Sequence, residues 1–479
     1  MNLCYFIDII TLLCYNYPVL QCYLFKGDIK MANRELVKKL YDDIWDMPLV
    51  DLHTHLDADH LAARGLHDIL LYHMVISDLY AAGCPDGDRL SEEPTEEEAL
   101  YRLERAIPYV KHIRGTSCYW GVRIILEDLY GWTEELNEDN WRECHELFKS
   151  KGCGAERAKE IAKKAKIEKS STELWRAKGH KHDDMLMYSL EWAFFCRDQW
   201  GINDAALLEL EHAWNEDIPG PPLPIGIDPA VDCAYEKKIK TVDDVKAAVQ
   251  HYVDRIDYDK VFSNASHFST TLNYHDVTEE DMVKALANRE NAGTWERDVY
   301  ANYINTMLLD KVQEIKRTTG KEIIIQYSLG AEPLPHETGS YMRPETIFEL
   351  AKIIHKYSDL KFEIHVASLH ADQAWCTLCR ELPNLKLDGF WWHNFFPTHI
   401  RRIISERMDM LPSNNIVGFF TDAYCMDWCY AKAKMITVQY AEVVAQKIEM
   451  GQFDYDTAIG IVREILDVDR KFFRLDENK

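Results

Sequence analysis

The residues best suited to chemistry lie at two distant points of the chain. The first is the run Asp51-Leu52-His53-Thr54-His55-Leu56. In extended backbone alternate side chains share a face, so His53 and His55 point the same way while Thr54 points opposite. Two imidazoles on one face suit a borderline divalent metal such as zinc, and equally manganese or iron. The second point is Phe419-Phe420-Thr421-Asp422-Ala423. A carboxylate there can complete a metal site with an oxygen ligand or take a proton from a reacting hydroxyl. Its structural alternative is a cap for the helix that follows.

Other polar residues are weaker candidates. His365, in FEIHVAS, faces either the same site or a hydrogen-bonded core position. Trp391, Trp392, His393 and Asn394 end a neighbouring apolar run, which puts one tryptophan and His393 near the pocket. His267 and His275 are further potential ligands. Cys376 and Cys379 have redox-pair spacing but fall in a helical pattern with no second pair, which favours packing. The basic stretch 155–169 reads as a solvated helix face with Glu-Lys pairs at helical spacing.

The elements that must position these groups are legible as a change of rhythm. Leu36, Leu40 and Ile44 have helical spacing, and Pro48 follows to stop that helix. The apolar run PLVDLHTHL comes next. Residues from about 60 to 220 read as one large helical insertion. Beyond it, β-type runs at 322–329, 361–369, 385–393 and 415–423 alternate with helical stretches, which predicts parallel strands joined by crossover helices. Polar residues cluster at the carboxyl ends of several strands, so a (β/α)8 TIM-type barrel is favoured over an open sheet. There is no Walker loop, G-x-G-x-x-G or internal repeat.

Composition narrows the partners. The chain has 479 residues, 55 basic and 80 acidic, a net charge of −25, which opposes nucleic acid and anionic membranes and leaves a small molecule as the expected partner. Thirteen scattered cysteines suit a reducing, cytoplasmic setting. Residues 1–30 are apolar, yet Asp8 and Pro18 interrupt them and no lysine or arginine precedes Lys26. They read as a disordered or non-native extension ahead of a natural start at Met31; a membrane anchor is the other reading. The enzyme domain is then expected at 31–479.

The order of H-x-H on a first strand and Asp on a last one resembles the amidohydrolase superfamily, and within it the uronate isomerase family. LVDLHTHL is similar to that family's first strand. The run from Arg114 to Trp120 resembles an Arg-x-x-x-x-x-Trp element of its helical insertion, and GFWWHN (389–394) and GFFTD (418–422) resemble its last two strands. The likeness covers roughly residues 45 to 475. It implies a divergent aldose-ketose isomerase of hexuronates such as glucuronate and galacturonate, and a homo-oligomeric assembly. One divalent ion, zinc foremost, would be held by His53, His55 and Asp422. Asp422 and Tyr72 would be the catalytic pair, and Arg114, Trp391, His393 and His365 would line the substrate site.

Two departures from the family pattern stand out. Asp422-Ala423-Tyr424 replaces Asp-Ser-Arg, and Gln326 occupies the region where a middle-strand histidine is expected. They leave two other readings: a metal-dependent hydrolase or decarboxylase of another small carboxylic acid, and a barrel that has lost activity. No convincing bridging Lys or Glu is present on a middle strand, which favours one metal over two.

Overall fold

The computed structural model describes residues 33–470, apart from 89, 92, 183, 191–201, 217–222, 224–228, 256–260, 265–274, 330, 334–337, 341–344 and 469. The apolar segment 1–30 and His267 lie outside the described residues, as do the side chains of Trp392 and His393.

Eight strands form one sheet in chain order: β1 Leu49–Asp51, β2 Ile167–Glu173, β3 Leu186–Leu190, β4 Val261–Asn264, β5 Ile324–Leu329, β6 Lys361–Val366, β7 Leu385–Asp388 and β8 Ile416–Val417. Every neighbouring pair is parallel, with helices between successive strands from β3 onward. A small antiparallel pair, Ala331–Pro333 with Thr338–Ser340, stands apart. All carboxyl ends therefore meet at one end of the sheet, where sites form in such architectures.

Strand pairing does not close the sheet: among the described residues no ladder joins β8 to β1. The two meet instead through irregular backbone past their carboxyl ends. Asp422 N donates to His53 O at 2.7 Å, His55 N to Ala423 O at 2.8 Å, and the Thr421 hydroxyl to Asp51 Oδ2 at 2.6 Å.

The expected helical insertion is shorter than 60–220. Helices Glu96–Ile113, Ser117–Tyr130, Trp141–Lys151 and Ala155–Ala165 fill its first part, each starting or stopping on a local signal. Thr95 accepts from Glu98 N at the start of the first, and Gly131, at φ +67°, ends the second. β2 and β3 then fall inside the stretch expected to be helical. IEKSSTE was illegible as a strand because one residue of seven is apolar. Backbone past the end of β1 meets it: Thr54 N and Oγ1 donate to Ser171 O at 3.0 and 2.5 Å, and Thr172 Oγ1 donates to Leu56 O at 2.8 Å, while the buried Ser170 hydroxyl has no partner.

The last two expected strands are also shorter. β7 stops at Gly389, whose φ of +43° breaks extended geometry, and the residues after it coil into a 3-10 turn, Trp391–Phe395. A side chain could not replace that glycine, because a Cβ there would lie 2.0 Å from the Phe420 ring. β8 ends when Gly418 N turns to Ile465 O at 3.1 Å. No helix among the described residues is long and apolar enough to cross a membrane.

Candidate metal centre

His53 and His55 lie just past the end of β1, not on it, yet they still share a face, with ring centroids 5.0 Å apart. Asp422 reaches them from beyond β8. Its backbone is left-handed at φ +56°, uncommon for a residue with a Cβ, and this turn aims the carboxylate across the seam. Oδ1 stands 3.2 Å from Nε2 of His53 and 3.2 Å from Nε2 of His55. Bonds of roughly 2.0–2.1 Å to a tetrahedral ion give ligand-to-ligand edges of about 3.3 Å, so these spacings and this donor set fit a divalent metal with an open coordination position.

Carboxylates at both ring nitrogens favour positive charge at His55, whether a proton or a metal ion. Burial alone would push the Asp422 carboxyl up, but hydrogen bonds from His53 and His55 hold it well below the usual carboxylate range. Burial disfavours a charged His55, and the Glu173 carboxylate more than offsets this, holding the imidazole well above its ordinary value. Glu173 ends β2 and contacts His55 Nδ1, which leaves Nε2 directed at Asp422. A carboxylate on the far nitrogen of a ligating histidine fixes ring and tautomer. The other Glu173 oxygen lies 2.8 Å from Arg176 Nε.

A cleft opens beside the cluster. His55, Tyr72, His73, Tyr424, Arg64 and Arg176 line it. Arg176 lies 4.2 Å from the Trp175 ring centroid and 5.3 Å from that of Tyr424. Arg64 forks onto Asp68 at 3.0 and 2.8 Å. A strongly acidic chain thus puts two guanidinium groups at this mouth. Farther out, ligand atoms of Asp57, His60 and Glu93 lie within 4.8 Å of one another. The Lys178 ammonium already sits there, 2.8 Å from Asp57 and 2.7 Å from Glu93, making that group an ion-pair network.

The expected site residues fare unequally. His53, His55 and Asp422 come together, and Tyr72 joins them: its hydroxyl donates to the Asp422 carbonyl at 2.5 Å and burial keeps it a neutral phenol. His365 backs the cluster, its ring 5.0 Å from that of His53. Both its nitrogens are engaged, Nε2 with Asp388 at 2.6 Å and Nδ1 with Ser328 at 3.2 Å. Burial holds this imidazole well below its ordinary value, so it is a neutral wall. Trp391 is buried with Val50, Leu52, Ala367, Val417 and Phe420, in the core and not in the cleft lining.

Arg114 is brought nowhere near the cleft. It caps helix Glu96–Ile113, is half exposed, and pairs with Glu135 at 2.7 Å, because its helix turns that face outward. His275 is exposed, and Cys376 and Cys379 are buried in helix Asp372–Glu381, in keeping with packing. Glu173, Arg176, Arg64 and Lys432 escaped sequence reasoning. The signal that could have found the first two is the polar run ending Glu173 with Arg176 one turn later, once read as a strand end.

No protein-family model matches the chain, and no curated protein is similar to it in sequence. Solved structures are similar in fold. A uronate isomerase from Thermotoga maritima superposes with a TM-score of 0.71 at 15% identity, covering 94% of this chain and 100% of that one. A glucuronate isomerase from Caulobacter crescentus gives 0.70 at 15%, covering 95% and 96%. A uronate isomerase from Bacillus halodurans gives 0.66 at 17%, covering 93% and 97%. The chain shares their α/β fold along nearly its whole length.

Proposed function

We propose that the protein is a metal-dependent aldose-ketose isomerase of hexuronates, its eight strands closing as a (β/α)8 barrel around the centre. The observation that carries this reading is the His53, His55 and Asp422 triangle at the carboxyl end of the sheet, beside a cleft holding two arginines. The fold shared with three uronate or glucuronate isomerases supports it. Zinc is the ion we favour, with manganese and iron as the alternatives the donor set also accepts. The protein is read as a cytoplasmic homo-oligomer acting on a small sugar acid, with no role for nucleic acid or membrane.

The reaction moves one hydrogen from C2 to C1 and a hydroxyl proton from O2 to O1, so nothing is gained or lost. His53, His55 and Asp422 would hold the divalent ion, which would supply Lewis acidity to the reaction. Asp422, kept ionised by its two histidines, takes the proton from the substrate. Tyr72, a neutral phenol in the cleft wall, is the proton donor of the pair. Arg176 takes the place that Arg114 was expected to fill: its planar fork, beside Tyr424, suits the substrate carboxylate. Glu173 keeps the His55 ring in place throughout.

The test is incubation of the zinc- or manganese-loaded protein with D-glucuronate and with D-galacturonate in deuterated water. Proton NMR should show ketouronate forming with deuterium at C1, and at C2 in sugar re-formed by the reverse reaction. Metal-loaded protein that converts neither sugar overturns the isomerase reading and turns the search to hydrolysis or decarboxylation of another acid.

A further inference from the structure

Behind the Asp422 carboxylate lies a charged group that the chemistry above leaves unused. Lys432, on helix Met426–Glu449, is 0% exposed. Its ammonium makes no ion pair with a carboxylate among the described residues. It donates instead to the Thr421 carbonyl at 2.7 Å and to the Tyr72 hydroxyl at 2.9 Å, over the rings of Phe395 and Tyr72 at 4.2 and 5.0 Å. Burying an ammonium with no carboxylate in contact is unfavourable even with the Asp422 and Asp51 charges acting on it from farther off, so packing alone is a poor reason for a lysine here.

What it grips is informative. Tyr72 in turn donates its O–H to the Asp422 carbonyl at 2.5 Å, so two successive carbonyls, of Thr421 and Asp422, are held by one linked pair. Asn394 adds a second bond to Thr421 O at 2.8 Å. Between those carbonyls sits the left-handed residue of the site, at φ +56°. Such backbone costs about 1–2 kcal/mol outside glycine and persists only where its surroundings over-determine it.

We infer that Lys432 is a positioning residue for the metal centre: by holding the Thr421 carbonyl directly and the Asp422 carbonyl through Tyr72, it fixes the turn that aims the Asp422 carboxylate at His53 and His55. The inference rests on the metal-centre reading but not on the identity of the substrate. A methionine at 432 fills a similar volume without the grip. A lysine that served only packing would leave affinity for the ion unmoved when replaced.

The experiment is titration of the full chain and its Lys432→Met variant with Zn²⁺ and with Mn²⁺, without sugar, alongside thermal unfolding of the metal-free forms. Expected is a metal affinity lower by roughly 10–100-fold, the range for lost outer-shell support, with unfolding temperature unchanged or raised. Tyr72→Phe, which removes only the outer link, should lower affinity in the same direction and serves if Lys432→Met does not fold. Met435→Ala on the same helix is the control: it should lower the unfolding temperature and leave affinity per folded molecule alone. Affinity within about twofold of the parent in folded Lys432→Met or Tyr72→Phe overturns the inference. A parent that binds neither ion overturns it together with the metal centre, whereas a parent that binds metal but turns over no uronate leaves it standing.

Discussion

Replacing Glu173 by glutamine probes the centre at the point the sequence hid best. The carboxylate is buried and serves two cations at once, His55 Nδ1 on one oxygen and Arg176 Nε at 2.8 Å on the other. Glutamine keeps the length and one acceptor and removes the charge. For the ion, His55 loses the carboxylate that orients its ring, a loss that lowers affinity by roughly 10–100-fold, or about 1.4–2.7 kcal/mol. For the fold, Arg176 loses the Glu173 charge 2.8 Å from its Nε. Breaking a buried pair costs about 3–5 kcal/mol, and since the amide oxygen still accepts a bond, about 3 kcal/mol is expected. The assay is competition of the metal-free protein with a chromophoric chelator for Zn²⁺ at neutral pH, with denaturant unfolding in parallel. A folded Glu173→Gln protein whose zinc affinity stays within about twofold of the parent would refute the argument that Glu173 organises His55 as a ligand.

Other outcomes follow from the same geometry. Zinc at a hundredfold excess over its dissociation constant should stabilise the parent by about 2.7 kcal/mol, a chelator should reverse this, and Asp422→Ala should abolish it in thermal unfolding. Arg176→Lys keeps charge but loses the fork. If the hexuronate reading holds, it should raise KM by roughly tenfold or more, since a charged hydrogen bond contributes about 1.5–3 kcal/mol, whereas Arg114→Ala, breaking an exposed pair, should leave KM unchanged. Burial lowers His67 to about 4, so the unfolded chain takes up its proton first as pH falls. Its contribution to stability is absent above pH 6.5 and grows to a loss of about 3 kcal/mol below pH 4; His67→Leu should flatten that part of the stability curve, and an unchanged curve would refute it.

The two halves of the chain were unequally legible. In β5 to β7 apolar runs bounded by turn residues announced strands, because those strands are buried on both faces and must be apolar. β2 buries two serines and a threonine, met by backbone from the β1 end at Ser171 O and Thr172 Oγ1, and such pairing leaves no mark on a hydropathy pattern. Missing that strand hid Glu173 and, one turn later, Arg176, which is why Arg114 stood as the substrate cation. The histidine pair and Asp422 were legible because alternation along extended backbone persists past the end of β1, and because a carboxylate closing an apolar run is conspicuous. The left-handed turn that aims it was not, since its cause is a lysine ten residues on that reads as an ordinary cation in a helix.

The seam between β1 and β8 has a consequence for how the site can fail. His55 and Asp422 are 367 residues apart in sequence, and among the described residues no strand ladder ties their elements together. An ion held as proposed would clip the two edges of the sheet across that seam, so its release and the parting of β1 from β8 would be one event.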